Sequence, residues 1–321
     1  MPLLSVENLH AGYETGGRRL RAVDGVSFAV EPGETVGLVG ESGCGKSSLA
    51  RVLMRLVEPA SGRVLFDGLD VGALRGPALK AYRRQAQMVF QDPFASLNPR
   101  QSVGEILSGP LAVHGLVPRK ERLTAAGDAL ERVGLPRAAL SRYPHEFSGG
   151  QRQRLGIARA LILAPRLVIC DEPVSALDLS IQAQILNLLA GLKAQMSLSY
   201  LFISHDLSVV RYFADRVLVM YLGRIVETGS WQAIFASPLH PYTRALIEAV
   251  PTPGRRRHAA PLSGDLPSAR DVPPGCRFHP RCPIATPICT EADPALRHVG
   301  AGQSVACHHA PESALQEGLP I

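Results

Sequence analysis

The chain has 321 residues, 46% of them hydrophobic and 19% charged, which suits a globular protein with a large core and more than one compact unit. No apolar run approaches the roughly 18 residues needed to cross a bilayer, and Met1–Tyr13 lacks a basic start followed by an apolar stretch, so no secretory leader is expected. The net charge is +6, but aromatic content is 5% and no basic run is denser than Arg255-Arg256-Arg257, which argues against a nucleic-acid partner.

Residues 3–9 and 20–30 read as strands, with Tyr13 between them; Leu20–Val30 alternates as a half-buried strand does. The turn Glu31-Pro32-Gly33-Glu34 leads into Val36-Gly37-Leu38-Val39, a buried strand, and then into Gly40-Glu41-Ser42-Gly43-Cys44-Gly45-Lys46-Ser47-Ser48. This is the phosphate-binding loop pattern, and a helix is expected from Ser47 to about Leu56. Gly40, Gly43 and Gly45 let several backbone N–H groups face one anion, and the helix aims its positive end at the same place. Short strands follow at Gly62–Asp67 and Gln87–Phe90.

From Phe94 to about Pro165 amphipathic helical stretches dominate, among them Val103–Val113 and Lys120–Val133, and they read as a helical insertion. It closes on Ser148-Gly149-Gly150-Gln151, a second helix start able to meet an anion. Leu167–Cys170 is a wholly apolar strand ending in Asp171-Glu172-Pro173, and an acidic pair at the carboxyl end of a strand is where an α/β sheet places its chemistry. Ser175-Ala176-Leu177-Asp178 precedes a helix over Ile181–Gln195. Tyr200–Ser204 is a buried strand with His205-Asp206 at its end, and Arg216–Met220 with Arg224–Glu227 forms a hairpin around Gly223. Beyond Phe235 prolines crowd the chain (Pro238, Pro241, Pro251, Pro253, Pro261, Pro267, Pro273, Pro274), which predicts an appended tail with little regular structure. No internal repeat or coiled-coil pattern is present.

These motifs, in this order, resemble the ATP-binding subunit of ABC transporters over about residues 3–235. The resemblance implies an α/β fold: a P-loop NTPase core with a helical insertion (about 94–165) forming the nucleotide-binding domain 1–235, and a C-terminal extension over 236–321. It implies an ATPase that binds ATP and Mg²⁺. Tyr13 would stack on adenine. Lys46 would reach the phosphates, with Ser47, Gln91 and Asp171 serving Mg²⁺. Glu172 would act as general base and His205 would contact the γ-phosphate. Ser148, Gly149, Gly150 and Gln151, the signature, would bind the γ-phosphate held by a second subunit, with Asp178 at that interface. Phe147 stands where the family most often has leucine.

Phe90-Gln91-Asp92-Pro93-Phe94-Ala95-Ser96-Leu97-Asn98-Pro99-Arg100 and Pro238-Leu239-His240-Pro241-Tyr242-Thr243-Arg244 resemble motifs of dipeptide and oligopeptide importers, a layout that nickel importers share. The implied partners are a second, non-identical ATPase subunit, two transmembrane permease chains whose coupling helices meet Asp92–Glu105, and an extracytoplasmic solute-binding protein. The implied place is the cytoplasmic face of the membrane. A soluble ABC ATPase acting on DNA or ribosomes is the rival reading, disfavoured because no long coiled-coil insertion or second ATPase domain is visible. A binding module without turnover is disfavoured because Lys46, Asp171, Glu172 and His205 are all present.

Four of the six cysteines, Cys276, Cys282, Cys289 and Cys307, fall near the C-terminus, separated by five, six and seventeen residues. Those intervals are wider than the pairs of a zinc site and differ from common ferredoxin spacings. The resemblance suggests a [4Fe–4S] cluster stapling the tail; zinc and free thiols remain open. His279, His308 and His309 flank the cysteines and read as surface residues. Cys44 and Cys170 read as non-ligands, with Cys44 open to oxidation if it is exposed.

Overall fold

The computed structural model describes residues 1–15, 18–92, 96–250, 267–268, 270–300 and 302–311. Pro93, Phe94 and Ala95, the prolines 251, 253 and 261, and Arg255–Arg257 lie outside the described residues. In chain order the strands are β1 (Leu4–Thr15), β2 (Arg18–Val30), β3 (Thr35–Val39), β4 (Ser61–Phe66), β5 (Leu69–Asp70), β6 (Ala86–Val89), β7 (Leu167–Asp171), β8 (Ser199–Ser204), β9 (Arg216–Tyr221), β10 (Arg224–Ser230), β11 (Arg297–Gly300) and β12 (Gln303–Val305). The helices are α1 (Lys46–Leu53), α2 (Gly76–Gln85), α3 (Val103–His114), α4 (Arg122–Arg132), α5 (Gly149–Leu161), α6 (Leu179–Met196), α7 (Leu207–Phe213), α8 (Trp231–Ala236), α9 (Pro241–Glu248) and α10 (Pro287–Glu291). By compactness the chain forms two units. One is Met1–Leu4, Val30–Glu34 and Leu65–Ile203; the other is Ser5–Ala29, Thr35–Val64 and Ser204–Ile321.

The first unit is built on parallel strands in the order β8-β7-β6, in register from Ala86 opposite Leu167 to Cys170 opposite Phe202. Every residue of β7 and β8 is buried. A parallel strand covered on both faces carries no polar alternation, which explains the apolar runs Leu167–Cys170 and Tyr200–Ile203 within them. Helix α5 packs on β6 and also on α3, α4 and α6. Helix α3 opens on a complete capping box between Ser102 and Glu105 and ends on Gly115 in the left-handed conformation, so both of its ends are set by local sequence. Phe147 is buried beneath the Arg142 guanidinium, 4.4 Å from the ring centre. The aromatic at this position is thus buried, with a cation over its ring.

The second unit has the order β11-β12-β10-β9-β3, with β2-β1-β4 as a separate sheet. Strand β3 is fully buried and runs parallel to β9, Val36 opposite Arg216 through Val39 opposite Val219. Tyr13 belongs to β1 rather than to a gap between strands. The tail departs from its expected irregularity: β11 and β12 form a hairpin, and β12 pairs antiparallel with β10 at Glu227 opposite Val305. Apolar Val299 and Val305 supply the side chains that bury, joined by Cys307, Ala310 and Leu239. These strands are short and their partner lies some eighty residues upstream in the chain, so local periodicity did not reveal them.

Candidate nucleotide site

The phosphate loop sits in the second unit, between β3 and α1. Gly40 and Gly45 have φ of 157° and 112°, and a Cβ there would lie 2.2 Å from the Met220 carbonyl oxygen and 2.0 Å from that of Ala22. The loop can therefore close against β9 and β2 only where it has no side chain. Gly45 is the N-cap of α1, so the helix starts one residue before its expected position, at Lys46, and runs to Leu53 rather than Leu56. Lys46 is 4% exposed, and its ammonium donates to the carbonyl oxygens of Gly40 at 2.7 Å and Glu41 at 3.0 Å. Ser42 and Gly43 are exposed, while Ser47 and Ser48 are half-buried at the head of α1. Cys44 is buried, and burial pushes its thiol above the usual range, which answers the question of its exposure: it is an inert core group here.

Residues distant in sequence hold this loop. The Arg281 guanidinium forks onto the Glu41 carboxylate at 2.7 and 2.9 Å, and the Glu41 backbone N–H donates to the Tyr242 hydroxyl at 2.8 Å. Tyr242 and Phe278 are buried with Tyr221 in a ring cluster, at centroid separations of 4.7 to 5.5 Å. Arg277 donates to the Leu222 carbonyl and to buried Asp24. Burial pushes the Asp24 carboxyl up, but the bonds from Arg277 and His10 and the charge of Arg224 outweigh it and hold Asp24 below its ordinary 3.8. No local sequence pattern marks these partners as site residues, although Tyr242 falls within the run Pro238–Arg244. The one local signal was a pair of arginines inside a tail otherwise rich in proline and cysteine.

In the first unit, β7 delivers Asp171, buried at 4% exposure, and then Glu172, half-buried. Glu172 has φ of 46°, a left-handed conformation unusual for a glutamate. Its N–H donates to the Ile203 carbonyl at 3.0 Å and its carbonyl accepts from the Ser175 hydroxyl at 3.1 Å, which secures the turn. The Gln91 amide donates to the Glu172 carboxylate at 3.2 Å, so these two predicted residues meet. Ser148 caps α5, accepting from the Gln151 N–H at 3.4 Å while its own N–H donates to the Gln151 side chain at 3.0 Å. Ser148, Gly149 and Gln151 are exposed. A Cβ on Gly150 would lie 2.6 Å from Ile181, so α5 meets α6 closely there. Asp178 is exposed and precedes α6 as its N-cap residue.

In the second unit His205 is exposed after β8 and Asp206 caps α7, accepting from the Ser208 N–H at 2.7 Å. Tyr13 is half-buried, and its hydroxyl has no partner among the described residues.

Cys276, Cys282, Cys289 and Cys307 are free thiols, each within electrostatic reach of the other three. Burial pushes Cys276 up to about 11. His279 Nδ1–H donates to the Cys276 carbonyl oxygen, 2.9 Å away, and His309 lies 3.5 Å from the Cys289 sulfur. Among the described residues no group of three or more His, Cys, Asp or Glu side chains has the arrangement of a metal site. The donors suit a thiophilic group in kind and number; their geometry gives the iron–sulfur expectation no support.

The residues 23–175 match the family model described as ABC transporter, and 226–289 match that of the oligopeptide/dipeptide transporter C-terminal region. The chain is 54% identical over 315 residues to the "Probable peptide ABC transporter ATP-binding protein y4tS" of Sinorhizobium fredii, covering 95% of this chain and 89% of that one. The chain belongs to the ABC transporter ATP-binding proteins. Within them it is of the peptide-importer type: it is also 52% identical over 294 residues to the oligopeptide transport ATP-binding protein AppF of Bacillus subtilis, covering 90% of this chain and 89% of the relative. Among solved structures, a dimeric ATP-binding cassette in a post-hydrolysis state bound to ADP and Pi is 28% identical, with a TM-score of 0.65, over 71% of this chain and 98% of that one. The cbiO1 protein of Clostridium perfringens, part of the ABC transporter complex cbiONQ, is 30% identical with a TM-score of 0.65, over 74% of this chain and 91% of that one. No helix among the described residues of this ABC ATPase is long and apolar enough to cross a membrane.

Proposed function

We propose that this ABC ATPase is the motor subunit of a di- or oligopeptide importer, docked at the cytoplasmic face on two permease chains and working with a second, non-identical ATPase subunit and an extracytoplasmic solute-binding protein. The observation that carries the reading is the close joining of the phosphate loop to the oligopeptide-type C-terminal region through Glu41, Tyr242 and Arg281. Gly40–Ser48 bind the triphosphate of ATP, with Lys46 as its counter-charge and Tyr13 against the base. Ser47, Gln91 and Asp171 are oxygen donors suited to Mg²⁺, which would neutralise phosphate charge when bound. Glu172 orients and deprotonates the attacking water, and the bond from Gln91 is what sets its carboxylate. His205 serves the γ-phosphate. Ser148, Gly149, Gly150 and Gln151 complete the other subunit's nucleotide site, with Asp178 beside them; the exposure of the α5 tip supports that role.

Purification of the complex from its native membrane, with identification of the co-purifying chains and uptake of labelled dipeptide against nickel, tests the partners and the cargo. Nickel uptake without peptide uptake replaces the cargo. Specific ATPase activity should rise with protein concentration, and a flat, high rate refutes the shared-site scheme. The [4Fe–4S] assignment of Cys276, Cys282, Cys289 and Cys307 is a finer proposal, supported by the proximity of four thiols, although among the described residues no group of three or more ligating side chains has the arrangement of a metal site. Iron and sulfide analysis of anaerobically purified protein decides it; zinc or no metal refutes it.

A further inference from the structure

Two residues of the C-terminal region, Tyr242 and Arg281, converge on one loop residue, Glu41. This residue is not a glycine, a lysine or a hydroxyl of the phosphate-loop pattern; the pattern leaves its identity free. Here it is gripped three ways. Its carboxylate takes the two-pronged Arg281 fork, its N–H donates to Tyr242, and its carbonyl accepts from Lys46. The Arg281 side chain is 5% exposed and that of Glu41 27%, so the pair is shielded from water and is not a surface ion pair of negligible worth. Arg281 is itself steered by Tyr221, whose hydroxyl lies 3.5 Å away. Tyr242 is fixed at the other end by α9, whose N-cap His240 accepts from the Tyr242 N–H, and by Glu227, which accepts the N–H groups of Leu239 and His240.

We propose that Arg281 and Tyr242 are positioning residues for nucleotide binding: they fix Glu41, and the Glu41 carbonyl in turn fixes the Lys46 ammonium. The affinity of the loop for a nucleoside triphosphate is thereby set by a segment outside the cassette core. Neither residue touches the nucleotide. This inference rests on the reading that the loop binds ATP.

The test uses the assembled complex and measures KM and kcat for ATP together with the melting temperature. Tyr242→Phe keeps the buried ring and removes only the acceptor of the Glu41 N–H. It should raise KM about 2- to 12-fold, the worth of one hydrogen bond, with kcat within about twofold. Arg281→Gln should raise KM at least as much, and Arg281→Lys should recover part of the loss, because a point charge replaces a planar fork. Glu41→Gln combined with Arg281→Gln should be no worse than the poorer single variant. An unchanged or lowered KM in Tyr242→Phe overturns the proposal, as does a lowered melting temperature with KM unmoved, or additive losses in the double variant. Failure of the unaltered complex to bind ATP would instead overturn the reading beneath it.

Discussion

Replacing Arg277 by methionine isolates a buried ion pair. Arg277 and Asp24 are 9% and 4% exposed at the side chain, and each is the other's closest charge. Removing one partner of a buried pair costs about 3–5 kcal/mol, because the remaining charge is left in a poor solvent. Asp24 would keep His10 at 2.8 Å and Arg224 at 3.7 Å, which places the cost near the low end, about 3 kcal/mol. A domain of this size loses about 2–4 °C per kcal/mol, so the melting temperature should fall by about 6–12 °C. The sign of the pH effect follows from Asp24, whose carboxyl is held below 3.8 in the fold. Its contribution is fully present above that value and is lost as pH falls through the lower folded value. Differential scanning calorimetry should therefore show the two proteins converging in acid. Asp24→Asn combined with Arg277→Met should recover much of the loss, since no charge remains buried alone. A fall under about 2 °C at neutral pH, or a gap that widens in acid, refutes the argument.

Two other outcomes follow from particular residues. Glu172→Gln should retain ATP binding while turnover falls about 10²- to 10⁴-fold, measured by phosphate release; normal turnover removes Glu172 as the base. Glu227 is wholly buried, and burial raises its carboxyl above the ordinary 4.5 despite bonds from Thr243, Leu239 and His240. The folded state then holds its proton longer than the unfolded chain, so stability falls as pH rises from about 4.5 through the higher folded value. Glu227→Gln should flatten that slope in pH-dependent melting.

Local signals were the legible ones. The order strand, glycine turn, helix at Val36–Ser48 and the apolar text of Leu167–Cys170 before Asp171-Glu172 both name structures formed by neighbours in sequence, and both stand where expected. Helix α2 leaves little sequence signal: it buries only Tyr82, so it carries little periodicity, although Pro77 marks its first turn. The left-handed backbone at Glu172 and its bond from Gln91, eighty-one residues earlier, are set by packing and leave no local trace. The same holds for the hairpin β11–β12 and for Arg281, whose chemistry is that of any arginine until the fold brings it to Glu41.

Glu41 and Arg281 are 240 residues apart in sequence. At a synthesis rate of about 5–20 residues per second, roughly 12–48 s pass between the making of one and the other. Tyr242 follows Glu41 by 201 residues, so for most of that interval the nascent polypeptide displays its glycine turn and lysine without either side chain that braces them. The loop reaches its finished shape only once Arg281 has been made, which ties the appearance of a braced nucleotide pocket to synthesis of the distant C-terminal region.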